Sequence, residues 1–222
     1  MCFSATGSLA AAGVLSCIGV ASVAHNGRPR LSMFAATPFL FAAQQLAEGV
    51  NWLTIHDADH ATLHRLSVDV FLVFALIVWP SWIPLSLARA ERDPDRWRTL
   101  SLISWMGVLV SIATTGMLLF AQPEARIAGH SLAYDYAASD DRPSHTVLLF
   151  FYLAPTVIPF FVSTLHLARG VSMMLIGSLI AAILIQRHAM LSVWCFFAAL
   201  LSCLVLVIVV KEQGVRAIRL VR

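Results

Sequence analysis

Long apolar runs alternate with short polar segments along the whole chain, and this alternation is the main signal in the sequence. A membrane-spanning helix needs roughly 20 mostly apolar residues, because the hydrocarbon core of a bilayer is about 30 Å thick. Seven runs are candidates, of which the sixth is short. They cover residues 5–24, 33–54, 66–88, 99–121, 146–167, 171–186 and 189–210. The pattern predicts an all-α fold, a seven-helix transmembrane bundle that forms a single integral membrane domain over residues 1–222.

The distribution of lysine and arginine predicts the orientation of this bundle. Cytoplasmic loops of membrane proteins carry an excess of both residues. With the N-terminus outside, eleven of the 15 lysines and arginines fall in inner segments, and Arg65, Arg126, Arg142 and Arg187 fall in outer ones. We therefore expect the N-terminus outside and the C-terminus inside, in a bacterial cytoplasmic (inner) membrane.

Composition narrows the function classes. The chain is 59% hydrophobic and 12% charged, whereas soluble domains carry about 25% charged residues. A water-soluble fold and intrinsic disorder are therefore excluded. No basic stripe interleaved with aromatic residues is present, so a nucleic-acid partner is not expected. The expected partners are the lipid bilayer and a small molecule or lipid at the outer face, while a homo-oligomer or a partner subunit stays open.

The second predicted span carries an unusual polar face. At 100° per residue, Gln44, Glu48, Asn51 and Trp52 share one side of a helix, which we expect to point into the bundle. An ionisable residue inside a span is costly and usually faces a cavity or a partner. Glu48 is a candidate catalytic residue, and Gln44, Gln45, Asn51 and Trp52 are candidate ligand-binding residues. A polar clamp between helices that binds nothing is the alternative.

A matching polar face on the last span predicts a shared pocket. Ser192 and Cys195 lie on that face, and the rise of 1.5 Å per residue gives the depth of each residue. Depth matching places Glu48, Asp69, Tyr152 and Cys195 in one layer of a pocket that opens to the outside. Asp69 is the second candidate catalytic carboxylate, and Tyr152 and Ser192 are candidate ligand-binding residues. Ordinary packing remains the alternative, because each face can be rotated away from the others.

Histidines and cysteines collect on the predicted outer side. Imidazole and thiolate groups bind zinc and copper, which makes these metals the candidate cofactors. The candidate metal ligands are Cys2, His130, His145, His188 and Cys195. A disulfide between Cys2 and Cys195 is the alternative in an oxidising compartment.

Two further patterns have both a functional and a structural interpretation. His56, His60 and His64 recur every four residues, so on a helix capped by Asp59 they would form a metal-binding row. A solvated interfacial turn is the alternative for this segment. Trp79, beside a proline, is interpreted as an interfacial anchor near a helix kink.

Three stretches carry a resemblance to a known family. They are Met1-Cys2-Phe3-Ser4-Ala5, Gln44-Gln45-Leu46-Ala47-Glu48-Gly49 and Ser192-Val193-Trp194-Cys195-Phe196-Phe197-Ala198-Ala199. Together they resemble an uncharacterised family of bacterial multi-pass membrane proteins, and the resemblance runs through the whole chain. A weaker similarity is to the alkaline ceramidase and adiponectin receptor superfamily, which implies a seven-span zinc hydrolase of lipid amides. This chain departs from that pattern, because its last span has His188 at its edge and no histidine pair four residues apart.

These observations leave three function classes. The first is a membrane protein whose outward-facing polar pocket binds a metal ion or small ligand, in one form a hydrolase in which a metal-bound water attacks an amide or ester. The second is a small-molecule transporter or channel, although the inner half of the predicted bundle offers few polar residues. The third is a sensory or structural subunit that binds a ligand, haem or lipid and signals through a separate chain.

Overall fold

The structure of the protein, a computed structural model, describes residues 4–135, 142–185 and 190–220, and most of these residues are helical. The helices are α1 (Ala5–Ala24), α2 (Ser32–Ala35), α3 (Thr37–Thr54), α4 (Ala61–Leu72), α5 (Trp79–Ala90), α6 (Pro94–Ala121), α7 (Arg142–Val162), α8 (Ala168–Ile185), α9 (Met190–Leu201) and α10 (Cys203–Leu220). A π-helical segment, Val73–Val78, joins α4 to α5. Two short strands, β1 (Glu124–Ala128) and β2 (Ser131–Asp135), follow α6.

Four helical stretches in the described part of the chain are long and apolar enough to cross a membrane. They are Ala5–Ala24, Ala58–Ala90, Pro94–Ala121 and Met190–Gln213. Two shorter apolar helices, Phe150–Val162 and Ala168–Leu184, lie between the last two of these stretches. The helix α3 occupies the second predicted span, but its buried polar side chains lower its hydropathy. This content of long apolar helices is typical of a membrane protein.

Successive long helices run in alternating directions, so their ends meet in two groups. At one end, residues 27–31, 90–93 and 164–166 surround a common pocket together with Glu212. At the other end, the end of α3 contacts the start of α4 and the strand β2. This alternation is the arrangement expected of an up-and-down bundle with short connections.

Prolines shape the contact between α5 and α6. Pro80 and Pro84 have no N–H, so neither can donate to the carbonyl four residues earlier in the helix. One of these carbonyls, that of Leu76, accepts a hydrogen bond of 3.0 Å from Thr114 Oγ1 of α6. The other, that of Pro80, lies against Gly107 of α6, where a Cβ would be only 1.8 Å from the oxygen. A glycine is therefore required at position 107 for this close approach.

The strands form a β-hairpin in the connection between the fourth and fifth predicted spans. They pair antiparallel, with Ala128 opposite Ser131, and Gly129 in the turn has a φ of 62°, which glycine adopts without strain. An ion pair of 2.7 Å joins Arg126 to Asp135 across the hairpin. Residues 131–134 of β2 are buried against the bundle.

Candidate functional site

The polar face of α3 lies inside the bundle. Gln44, Gln45, Glu48 and Asn51 each have a fully buried side chain, and we call these four residues the polar layer. They lie inside because α3 is surrounded: α1 packs against it so closely that a Cβ on Gly49 would be 2.7 Å from a side-chain atom of α1. Helical spacing predicted that this face points into the bundle, and the burial of its side chains agrees with that prediction.

Two donors hold the carboxyl group of Glu48. Gln45 Nε2 donates to Glu48 Oε2 at 3.2 Å, and Ser192 Oγ of α9 donates to Glu48 Oε1. The polar faces of the second and last predicted spans therefore meet at this carboxyl group. Such a contact satisfies the buried oxygens of Glu48 and joins α3 to α9.

Trp79 fixes the orientation of the Gln44 amide. The Trp79 Nε1–H, which can only donate, bonds to Gln44 Oε1 at 2.8 Å, so Gln44 Nε2 must face the other way. Gln44 Nε2 is buried and makes no hydrogen bond of standard geometry with a described residue, although the Gln44 side chain interacts weakly with the Cys195 thiol. In the same part of the structure, Gln45 Oε1 and Trp52 Nε1 are also buried without a partner. The polar layer therefore has one unused donor and one unused acceptor, and Trp52 next to it has a second unused donor.

The β-hairpin covers the polar layer at the end that we expect to be outer. Asn51 Nδ2 donates to the hydroxyl oxygen of Tyr134 at 3.1 Å, and Ser67 Oγ donates to Asn51 Oδ1. The Tyr134 ring stacks on Phe71 of α4 at a centroid distance of 4.3 Å. These contacts seat β2 on the bundle. Glu48 is fully buried, so its carboxyl group does not face the outside as expected.

An apolar cavity of about 60 Å³ lies beside the polar layer. Its wall is rich in aromatic rings, among them Phe41, Trp79, Tyr152 and Trp194. The Phe41 and Trp79 rings stack at 3.8 Å, and Trp79 is only 4% exposed. The interpretation of Trp79 as an interfacial anchor is therefore wrong. Cys195 also lines the cavity, so the cavity and the polar layer share a boundary.

The structure brings together only part of the predicted site. Tyr152 and Cys195 line the same cavity, and Ser192 reaches Glu48. Asp69 is exposed, because the buried side of α4 is formed by Val68, Phe71 and Leu72, and Asp69 lies 100° away from Val68. Asp69 was assigned to the pocket by its depth along the helix alone, but its side chain is exposed and does not face the bundle interior.

The predicted metal ligands are described only in part. Cys195 is a buried free thiol, and His130 is exposed in the hairpin turn. Cys2, His188 and the side chain of His145 lie outside the described residues, so a site that includes them stays a prediction. Within the described part of the chain, no three His, Cys, Asp or Glu residues are grouped so that they could hold a metal ion.

The three histidines spaced by four residues do not form a helical row. The helix α4 begins only at Ala61, so it contains His64 but not His56 or His60. His60 Nδ1 donates to Asp57 Oδ2 at 2.7 Å, and this bond lowers the pKa of Asp57 below its ordinary value. Asp57, and not the expected Asp59, caps the short turn here by accepting from the backbone N–H of Asp59.

The sequence predicted neither of the contacts that Trp79 and Ser67 make with the polar layer. A signal for Trp79 was present, because the buried positions Leu72, Leu76 and Trp79 follow helical spacing. Ser67 gives no comparable signal, since serine is common on many kinds of helix face.

The chain belongs to a family described as a family of unknown function, DUF6629, whose family model matches residues 1–219. Comparisons with curated proteins and with solved structures found no match. Membership of this family agrees with the resemblance to an uncharacterised family and assigns no activity. The function must therefore be inferred from the geometry of the site.

Proposed function

We propose that this chain is an integral membrane protein of seven spans that binds a lipid-soluble small molecule between its helices. One observation carries this proposal: an aromatic cavity of about 60 Å³ borders a buried polar layer that has unused hydrogen-bonding groups. Ligand sites are typically concave and apolar, with a few polar groups that fix the orientation of the ligand. The cavity and the polar layer together have this composition.

The outer surface of α6 supports the membrane part of the proposal. Leu102, Trp105, Leu109 and Phe120 are 72%, 69%, 66% and 87% exposed. Contiguous apolar patches of this kind are rare on soluble monomers and suit contact with lipid tails. The helix α3 has 18 residues and is about 27 Å long at 1.5 Å per residue, close to the hydrocarbon thickness. We therefore count α3 as a span, with the N-terminus outside as the distribution of arginine predicts.

The lining of the cavity suggests the chemistry of the ligand. Phe41, Trp79 and Trp194 offer flat apolar surfaces for a hydrocarbon body. Gln44 Nε2 would donate to an oxygen acceptor at one end of that body, because its own oxygen is already occupied by Trp79. We therefore propose a ligand that inserts part of an acyl or isoprenoid chain into the cavity and carries a carbonyl, carboxyl or hydroxyl oxygen. Because the hairpin covers the polar layer, a binding site is favoured over a conduit.

Quenching of tryptophan fluorescence by dibromostearate tests this proposal, since bromine quenches indole rings at short range. Trp79 and Trp194 line the cavity, so we expect saturable quenching of the detergent-purified chain. The variant Ala198→Phe fills the cavity wall and should abolish the saturable component. The variant Ala113→Phe makes the same change on the exposed side of α6 and should retain it.

Far-ultraviolet circular dichroism verifies that both variants are folded. Non-saturable quenching in the wild-type chain would contradict the proposal, because it would indicate contact with bulk lipid alone. Equal saturable quenching in the folded Ala198→Phe variant would also contradict it, because the probe would then occupy another site.

A further inference from the structure

A second pocket lies at the end of the bundle that we propose to be inner, away from the aromatic cavity. It has a volume of about 760 Å³ and is lined by residues 27–31, 90–93 and 164–166 and by Glu212. These segments connect or follow successive helices, so the pocket is formed where four parts of the chain meet. We call it the inner pocket.

The carboxyl group of Glu91 in the inner pocket is already occupied by donors. Thr164 donates to it twice, from its backbone N–H at 2.8 Å and from its hydroxyl group at 2.6 Å. The backbone N–H groups of Arg92 and Asp93 also donate, at 2.9 and 3.2 Å. Burial alone raises the pKa of Glu91, but these hydrogen bonds outweigh burial and hold the pKa below its ordinary value.

The other two carboxyl groups of the inner pocket are occupied as well. Arg28 Nη1 forms an ion pair of 2.8 Å with Glu212 Oε2, and the backbone N–H of His166 donates to Glu212 Oε1 at 3.3 Å. Asp93 Oδ1 caps α6 by accepting from the backbone N–H groups of Asp95 and Arg96. Five of the six carboxylate oxygens of the inner pocket are therefore already hydrogen-bonded, and Asp93 Oδ2 is the exception among the described residues.

The unused groups of the inner pocket are donors, and all but one of them belong to positively charged arginines. Arg28 Nε is buried and has no hydrogen-bond partner in the described part of the chain. Gln213 Nε2 is likewise buried without a partner among the described residues. It would lie 3.4 Å from a Cβ placed on Gly27 of the pocket wall. Arg30 and Arg92 are exposed at the pocket and form no ion pair with a described residue. The hydrogen-bond donors that are still free in the inner pocket thus suit an anion with several oxygens.

We propose that the inner pocket binds a phosphate group, carried either by an anionic lipid or by a soluble phosphate compound. Guanidinium groups match the geometry of phosphate oxygens with two parallel hydrogen bonds. Anionic lipids are also concentrated where basic residues gather at the cytoplasmic surface. The structure offers three guanidinium groups, those of Arg28, Arg30 and Arg92, at the wall of one pocket.

Binding measurements with three probes test this inference on the detergent-purified full chain. The probes are inorganic pyrophosphate, dioctanoyl phosphatidic acid and dioctanoylglycerol, which is the same lipid without its phosphate. We expect saturable thermal stabilisation by at least one phosphate probe and none by dioctanoylglycerol. Stabilisation by phosphatidic acid alone assigns the lipid source, and stabilisation by pyrophosphate assigns a soluble phosphate compound.

Substitutions locate the binding site. The double variant Arg30→Gln and Arg92→Gln changes exposed side chains without a described ion pair, so its fold should be retained. We expect it to weaken phosphate binding about tenfold or more. The variant Arg98→Gln changes another exposed arginine of the same end, which does not line the inner pocket, and should bind as the wild type does. Failure of both phosphate probes to bind, or equal weakening by the Arg98→Gln variant, would overturn the inference. The Ala198→Phe variant should bind phosphate normally, so this test and the dibromostearate test fail independently.

Discussion

Replacing Gly107 by alanine tests the closest contact between two helices of the bundle. A Cβ at this position would lie 1.8 Å from the carbonyl oxygen of Pro80 and 2.7 Å from its carbon. A Cβ atom is essentially never closer than 3.0 Å to a heavy atom of a residue that is not its neighbour in the chain. Because both atoms belong to the backbone of α5, no side-chain rotation relieves the clash, and the two helices must separate.

The expected loss of stability follows from two opposing effects. Overpacking of a well-packed core costs about 1–3 kcal/mol. Because the clash here is with backbone, we expect a cost of about 3 kcal/mol from overpacking. Alanine in place of glycine inside a helix contributes about 1 kcal/mol in the opposite direction. We expect Gly107→Ala to lower the free energy of unfolding by about 2 kcal/mol, which is roughly a 30-fold change in the ratio of folded to unfolded protein.

Gly116→Ala provides a matched control on the same helix. A Cβ on Gly116 would meet nothing within 4 Å, so this variant should be as stable as the wild type or more stable by up to about 1 kcal/mol. Denaturant unfolding in detergent micelles, followed by circular dichroism, measures both variants. If Gly107→Ala and Gly116→Ala are equally stable, α5 and α6 do not approach each other as described here.

Two further predictions concern the ends of the bundle. The pKa of Glu91 is lower in the folded chain than in the unfolded chain, where it is about 4.3. The ionised form of Glu91 therefore stabilises the fold at a pH above the unfolded pKa. This stability is lost as the pH falls through the folded pKa. Glu91→Gln should therefore be less stable than the wild type at pH 7 by about 1–2 kcal/mol, with a difference that closes in acid; parallel stability curves between pH 3 and 7 would contradict this. Ser192→Ala removes a donor from buried Glu48 and should cost about 1–3 kcal/mol, whereas Ser178→Ala, which loses only a bond within its own helix, should cost less in the same unfolding assay.

Helix positions could be predicted from the sequence because apolar runs report burial in lipid or in a core. The run 5–24 coincides with α1, which Ser4 caps by accepting from a backbone N–H. The helix α6 instead begins at Pro94, before the predicted start at residue 99, because Asp93 caps it and Pro94 fits the first turn. That added turn is polar, so a hydropathy pattern does not detect it. The β-hairpin was missed for a similar reason, since its buried strand is only five residues long.

The candidate site could be predicted only as far as one helix determines it. Helical spacing fixes which residues share a face, so the burial of Gln44 and Glu48 followed from α3 alone. The partners of that face depend on how neighbouring helices are rotated, which spacing within one helix does not specify. Asp69 was therefore assigned to a layer that it does not join, and the bond from Trp79 to Gln44 was not anticipated.

The unpaired atoms of the polar layer bear on the choice between a ligand site and a clamp between helices. A clamp stabilises a bundle by pairing its polar atoms, and a buried polar atom without a partner costs about 1–3 kcal/mol. In and beside this layer, Gln45 Oε1 and Trp52 Nε1 are buried without a partner among the described residues, and Gln44 Nε2 has only a weak interaction with the Cys195 thiol. The bond from Trp79 prevents the Gln44 amide from turning to relieve its own unpaired donor. In a clamp between helices, nothing would offset this cost. A ligand that supplies an oxygen beside the aromatic cavity would offset part of it, and for that reason we favour a ligand.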